Sequence, residues 1–199
     1  MERNAEAYQR TLEPLGLRIQ PQEVFANEGR GSRELIDLLA KAHGVTLSGP
    51  QRDDATRRHH ETLASFGPMP LYPGVEELLR GLHSRGLRLA LVTGNWRAIA
   101  LAPFGDLAAL FDTVVSAEEV TRTKPDPEPY RKALEDLGVP AERAAVVENA
   151  PLGIESAKAA GLRVIAVATT NPADRLREAD LVVADLRDVG RALQALEGR

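Results

Sequence analysis

From residue 87 onward, short apolar runs alternate with helical patterns, and this alternation restricts the fold more than any other feature of the chain. The runs at 87–92, 113–115, 144–147, 164–167 and 181–184 have strand length, and helical patterns fill 97–103, 127–137, 152–160 and 187–197. Strands that alternate with helices imply βαβ crossovers and a parallel sheet covered on both faces. Runs that are near-continuously apolar rather than alternating fit strands buried on both sides. Ligands of such sheets bind at the carboxyl ends of the strands, so chemistry is expected there.

The first seventy residues have a different texture. Ala5, Tyr8, Leu12 and Leu15 recur at helical spacing up to Gly16. Pro21 opens a short piece through Phe25, and Ser32 can cap a helix with Leu35, Ile36, Leu38, Leu39 and Ala42 on one face, closed by Gly44. Pro50 suits the first turn of a polar helix that runs toward Phe66. The stretch 67–74, Gly-Pro-Met-Pro-Leu-Tyr-Pro-Gly, is dense in helix breakers and reads as a boundary or hinge. Pro73 then starts a helix with Val75, Leu78, Leu79 and Leu82 on one face. The expected architecture is α/β: a small all-helical module at 1–72, then a Rossmann-like core at 73–199 whose parallel sheet carries helices on both faces.

Composition narrows the function. At 199 residues the chain fits one domain, with or without a modest insertion, and needs no staples. Cysteine is absent, which rules out disulfides, zinc–thiolate sites and a cysteine nucleophile. A net charge of -4 and a pI near 5.7 argue against a nucleic-acid partner. No apolar run reaches the ~18 residues of a membrane span. Met1 is followed by polar residues rather than a signal peptide, so a cytoplasmic protein without a membrane partner is expected. His59 and His60 are adjacent and diverge by about 100° on a helix, which disfavours a shared metal. His43 and His83 read as solvated helix-end residues. Gly29-x-Gly31 follows no strand and is no dinucleotide fingerprint, and neither Gly-x-Ser-x-Gly nor a Walker A pattern occurs.

Three strand ends carry chemistry. The first run leads into Thr93-Gly94-Asn95-Trp96, where a hydroxyl, backbone N–H groups and a helix start suit a phosphate. An ordinary N-cap turn would read the same way. After 113–115 comes Thr121-Arg122-Thr123-Lys124-Pro125-Asp126-Pro127-Glu128-Pro129-Tyr130, whose alternating prolines fix Lys124 just ahead of a helix. That ammonium could meet a phosphate or a carboxylate, or be a solvated surface group. The run 144–147 leads into Glu148-Asn149-Ala150-Pro151, an oxygen-donor pair suited to Mg²⁺, where Asn149 could also be an N-cap.

Together these segments resemble the haloacid dehalogenase-like (HAD) superfamily, in its helical-cap branch of phosphoglycolate phosphatases and beta-phosphoglucomutases. Leu-Val-Thr-Gly-Asn at 91–95 is similar to the second signature motif, and Lys-Pro-Asp-Pro-Glu-Pro-Tyr at 124–130 to the third. Val-Val-Glu-Asn-Ala-Pro-Leu-Gly-Ile-Glu-Ser-Ala-Lys-Ala-Ala-Gly at 146–161 resembles the fourth. Tyr72-Pro73-Gly74-Val75 resembles the return from cap to core, and Asn27-Glu28-Gly29-Arg30 a cap segment that faces substrate. The resemblance implies phosphoryl transfer through an aspartyl-phosphate, with Mg²⁺ as cofactor and a small phosphorylated metabolite, such as phosphoglycolate or a sugar phosphate, as substrate. By the same resemblance Thr93, Gly94, Asn95 and Lys124 bind the phosphate, with Thr93 and Lys124 catalytic. Glu148 and Asn149 hold the metal directly or through water, and Arg30 grips the rest of the substrate. A phosphomutase and a non-catalytic phospho-ligand or partner-binding protein are the alternatives. Oligomeric state is open.

Two departures qualify the resemblance. The family's nucleophile motif, Asp-x-Asp-Gly-Thr at the end of the central strand, has no counterpart, because no Asp-x-Asp occurs anywhere in the sequence. The chain is therefore expected to begin after the nucleophile and its strand, and not to form the phospho-enzyme by itself. It is also expected to leave a strand slot between 87–92 and 144–147 that something must fill. Asn149 stands where relatives commonly place an aspartate, which predicts weaker metal affinity.

Overall fold

The structure, a computed structural model, describes residues 1–197. Its first part is helical: α1 (Glu2–Leu12), α2 (Pro21–Phe25), α3 (Ser32–Ala42) and α4 (Gly49–Ser65). Local chemistry sets the helix starts. At α2 a capping box pairs Gln20 with Glu23 around Pro21 at the first turn. At α4 the Ser48 side chain accepts from the Gln51 N–H while the Gln51 side chain returns to the Ser48 backbone. The apolar stripes of α1 and α3 meet in one core through Tyr8, Leu12, Leu35, Ile36 and Leu39, and α4 joins it at Ala55. α4 is polar by composition, yet it also buries His59 and His60.

The second part carries all the strands among the described residues. It runs α5 (Val75–Ser84), β1 (Ala90–Val92), α6 (Arg97–Leu101), β2 (Thr113–Val115), α7 (Glu128–Leu137), β3 (Ala145–Glu148), α8 (Pro151–Ala159), β4 (Arg163–Val167), β5 (Leu181–Val183) and α9 (Val189–Glu197). Every pairing is parallel, as the alternation of strands and helices predicts. β4 is the buried middle strand of β3-β4-β5, with Val147 opposite Ile165 and Ala166 opposite Val182. Its face toward α8 packs with Tyr130, Ile154 and Leu176, and its other face packs against α9. No described helix is long and apolar enough to cross a membrane.

Instead of one continuous sheet there are two, β1-β2 and β3-β4-β5. Between β1 and β3, where the sequence predicts a slot, lies a groove of about 630 Å³ lined by Leu78, Leu82, Val92, Tyr130, Val146 and Leu193 among others. No described strand enters it. The amphipathic helix α5 faces this groove and has no fully buried residue. The run at 87–92 is also a shorter strand than its apolar content suggests. Leu89 gives its N–H to the Asp112 carboxylate at 2.7 Å, so the ladder begins only at Ala90, opposite Thr113.

Candidate functional site

The loop after β1 is shaped by one hydroxyl. Thr93 N–H continues the ladder to the Val115 carbonyl at 2.9 Å, and Thr93 Oγ1 accepts from the Asn95 N–H at 3.1 Å. The Asn95 carbonyl accepts from Ala117 N–H at 3.2 Å, which ties the loop to the end of β2. Gly94 faces the cap: a Cβ there would lie 3.2 Å from the Arg30 carbonyl oxygen and from Gly31 Cα, tighter than side chains normally pack.

Lys124 is placed by the proline-rich segment ahead of α7. The Glu128 carboxylate accepts from Thr121 N–H at 2.7 Å and Arg122 N–H at 3.0 Å, and Ser156 Oγ donates to the Asp126 carbonyl at 2.5 Å. So braced, the Lys124 ammonium lies buried across two strand ends. Nζ donates to Glu148 Oε1 at 2.6 Å and to the Val92 carbonyl at 3.3 Å, and it sits 5.0 Å from the centre of the Tyr130 ring. Tyr130 OH donates to the same Glu148 oxygen at 3.1 Å. The other oxygen accepts from Asn149 N–H at 2.7 Å and Ala150 N–H at 3.0 Å. Gly153 leaves room for this carboxylate, since a Cβ there would overlap it.

The charges settle accordingly. Burial pushes the Glu148 carboxyl up, but Lys124 and the two backbone N–H groups outweigh it and hold it below the usual carboxylate range. Burial likewise pulls Lys124 down, and Glu148 with Tyr130 more than compensates, so the ammonium titrates above its ordinary value. The Tyr130 hydroxyl is pushed up, chiefly by burial.

Thr93, Lys124 and Glu148 therefore meet at one end of the strands, linked through Val92. The expectation of Glu148 as a metal ligand meets a different arrangement. Four protein donors fill both its oxygens, and it serves as the counter-ion of Lys124. Asn149 spends its amide nitrogen on Glu28 at 3.1 Å and Thr170 at 2.7 Å. No group of three His, Asp or Glu side chains that could hold a metal occurs among the described residues. Mg²⁺ is held by at least one free carboxylate; with both Glu148 oxygens taken and Asn149 neutral, the described residues do not fit the ion as a set.

The segment between α2 and α3 and the start of α3 lie over this end. Arg30 is mostly buried, with Nη1 3.6 Å from Glu34 and Nε buried without a hydrogen-bond partner. Thr123, next to Lys124, accepts from Gly31 N–H at 3.0 Å and donates its own N–H to Glu34 at 3.1 Å. His60 stacks on Trp96 at 4.2 Å between ring centres. Tyr130, Thr123, Thr170, Asn171 and the role of Glu28 were not read from the sequence. Tyr130 belongs to a recognised motif. The partners of Glu28 lie 121–143 residues away with no signal to join them.

The family profile described as haloacid dehalogenase-like hydrolase matches residues 2–167. The chain is 31% identical over 195 residues to a validoxylamine A 7'-phosphate phosphatase of Streptomyces hygroscopicus subsp. limoneus, covering 94% of this chain and 88% of the relative. It is 36% identical over 145 residues to a phosphoglycolate phosphatase of Rhodospirillum rubrum, covering 69% of this chain and 60% of that protein. The crystal structure of CbbY from Rhodobacter sphaeroides in complex with phosphate superposes with a TM-score of 0.76 at 27% identity, over 95% of this chain and 89% of that one. With the profile match spanning most of its length, the chain belongs to the haloacid dehalogenase-like hydrolase family.

Proposed function

We propose that the strand-end site receives the phosphoryl group of a small, soluble phosphorylated metabolite and belongs to a cytoplasmic phosphatase. The observation that carries this reading is the buried Lys124 ammonium beside Thr93, under a cap that presents Arg30. Relatives named as a phosphoglycolate phosphatase and a validoxylamine A 7'-phosphate phosphatase support it.

Each residue has a physical task. Thr93 Oγ1 and the Gly94 N–H donate to phosphoryl oxygens, and the Asn95 N–H, bonded to Thr93 Oγ1, holds the loop in shape. Lys124 supplies fixed positive charge, which Glu148 keeps protonated and in place. Arg30 offers a planar fork to the non-phosphate end of the substrate. Cap closure excludes water from the site. Mg²⁺ is the family's usual cofactor, but the described residues do not supply its ligand set. Glu148, already committed to Lys124, is no nucleophile. Hydrolysis through an aspartyl-phosphate requires a carboxylate that these residues do not include.

Calorimetric titration with inorganic phosphate tests the site. The 199-residue chain should bind phosphate, and Thr93→Val should weaken binding roughly tenfold or more, as expected for losing one hydrogen bond to a charged group. No detectable binding by the unaltered chain would overturn the reading. The same chain should not turn over p-nitrophenyl phosphate with Mg²⁺, and clear turnover would locate a nucleophile outside any Asp-x-Asp pattern.

A further inference from the structure

The segment between α2 and α3 sends one carboxylate across to the core, into a cradle made entirely of neutral donors. Glu28 Oε1 accepts from Asn149 Nδ2 at 3.1 Å and lies 3.0 Å from Thr170 Oγ1. Oε2 accepts from Asn171 Nδ2 at 2.7 Å and from Thr170 Oγ1 at 2.9 Å. The cradle is braced within the core: Asn171 is buried and its amide also donates to the Asn149 carbonyl at 3.0 Å. Asn149 follows β3, and Thr170 and Asn171 follow its neighbour β4, so two paired strands fix the donors.

This contact lies on one side of Arg30, and a second lies on the other. Gly29, at φ +96, runs close enough to the core that an added Cβ would stand in van der Waals contact with Ala150 and Leu152. Beyond Arg30, Gly31 and Glu34 are bound to Thr123. Arg30 is thus held between two anchors with its carbonyl against Gly94. The Thr123 anchor comprises two hydrogen bonds, one of them to a carboxylate. The Glu28 anchor gathers three donors around a charge, the stronger class of hydrogen bond.

We propose that Glu28 is a positioning residue. Docked among Asn149, Thr170 and Asn171, it latches the cap onto the core and holds Arg30 over the phosphate loop, and so selects substrates with a group beyond the phosphate for Arg30 to grip. The selection rests on the phosphoryl-site reading above, whereas the latch does not. A glutamine at 28 has nearly the same shape, but whichever way its amide turns its NH₂ meets the NH₂ of Asn149 or of Asn171, where a carboxylate oxygen accepted, so it weakens the latch with little change in packing.

The chain carries its own reporter. Trp96 is the sole tryptophan and stacks on His60 of α4, across the boundary between cap and core. Glu28→Gln should shift Trp96 emission to longer wavelength and raise its acrylamide quenching constant about twofold, as the open population grows. Asn171→Ala should do the same, and the double variant should add little, because both changes break one contact. Calorimetry supplies the second arm. Glu28→Gln should bind inorganic phosphate as the unaltered chain does, but phosphoglycolate roughly tenfold more weakly, a split that general loosening would not produce.

Unchanged emission and quenching in Glu28→Gln would overturn the latch. Equal losses for phosphate and phosphoglycolate would overturn the positioning of Arg30. If the unaltered chain binds no phosphate, the site reading fails while the Trp96 result still decides the latch. Should Glu28→Gln lose its helical circular dichroism, Thr170→Val, which removes the hydroxyl shared by both carboxylate oxygens, decides by the same fluorescence test.

Discussion

Lys124 Nζ and Glu148 Oε1 lie 2.6 Å apart, and each side chain is only 7% exposed, so the ends of β1 and β3 are joined through a buried ion pair. Removing one partner of such a pair leaves an uncompensated buried charge. Lys124→Met should therefore destabilise the fold by about 3–5 kcal/mol. Adding Glu148→Gln should recover much of that loss, because no buried charge then remains. Urea unfolding of the two single variants and the double variant measures this. Additive losses would mean that the two groups are not coupled.

Gly153 gives the same pair a steric test. A Cβ at this first-turn position of α8 would overlap the Glu148 carboxylate, and that carboxylate is fixed by two backbone N–H groups. Alanine normally favours a helix by about 1 kcal/mol over glycine. Here the preference should invert, with Gly153→Ala costing about 2 kcal/mol or more, as unfavourable core overpacking does. The check is thermal unfolding of Gly153→Ala beside Gly190→Ala in α9, where an added Cβ meets nothing within 4 Å.

The same residues show what the sequence could and could not convey. Thr93, Lys124 and Glu148 were legible because each follows a strand-length apolar run or a proline clamp, and parallel topology brings such ends together. The partner of Glu148 was not legible. A carboxylate at a strand end suits a metal or an ammonium equally, and only the reach of the Lys124 side chain across β1 and β3 decides. The length of β1 was hidden for a similar reason: Leu87 and Leu89 report burial potential, while the Asp112 side chain takes the Leu89 N–H. The Glu28 cradle depends on three residues more than 120 positions away, with no pattern in the chain to announce it.

The contact of Gly31 with Thr123 leads to a prediction about the cap. A Cβ on Gly31 would collide with the Thr123 side chain, and Gly31 N–H donates to that same hydroxyl. Gly31→Ala should push the cap away from the core while the cap's own core, centred on Leu35 and Ile36, stays intact. Hydrogen exchange should quicken at Gly31 and Thr123, whose amides are tied across the boundary, and remain slow within α1 and α3. Uniform acceleration throughout the cap would show that Gly31 supports the cap fold itself.

The buried histidines set the acid limit of the fold. His59 stacks on Tyr8 at 3.9 Å and His60 on Trp96 at 4.2 Å, and both rings are almost wholly excluded from solvent. Burial, with the neighbouring His60, pulls His59 down to about 3. Burial pulls His60 down to about 4, although Glu118 opposes the shift. Both folded values lie below the ordinary value of 6.5, so the unfolded chain takes up these protons first. Their contribution to stability is complete above pH 6.5 and declines as pH falls toward 4 and 3. Each histidine removes about 1.4 kcal/mol per pH unit across that window. Between pH 6.5 and 5 the ordinary carboxylates remain ionised, so the two histidines dominate the slope. His59→Leu keeps an apolar side chain against Tyr8 and removes one proton from the balance. Urea unfolding at pH 7, 6 and 5 should show its slope reduced by about half relative to the unaltered chain. An unreduced slope would mean that His59 is already protonated in the folded protein and does not set the acid limit.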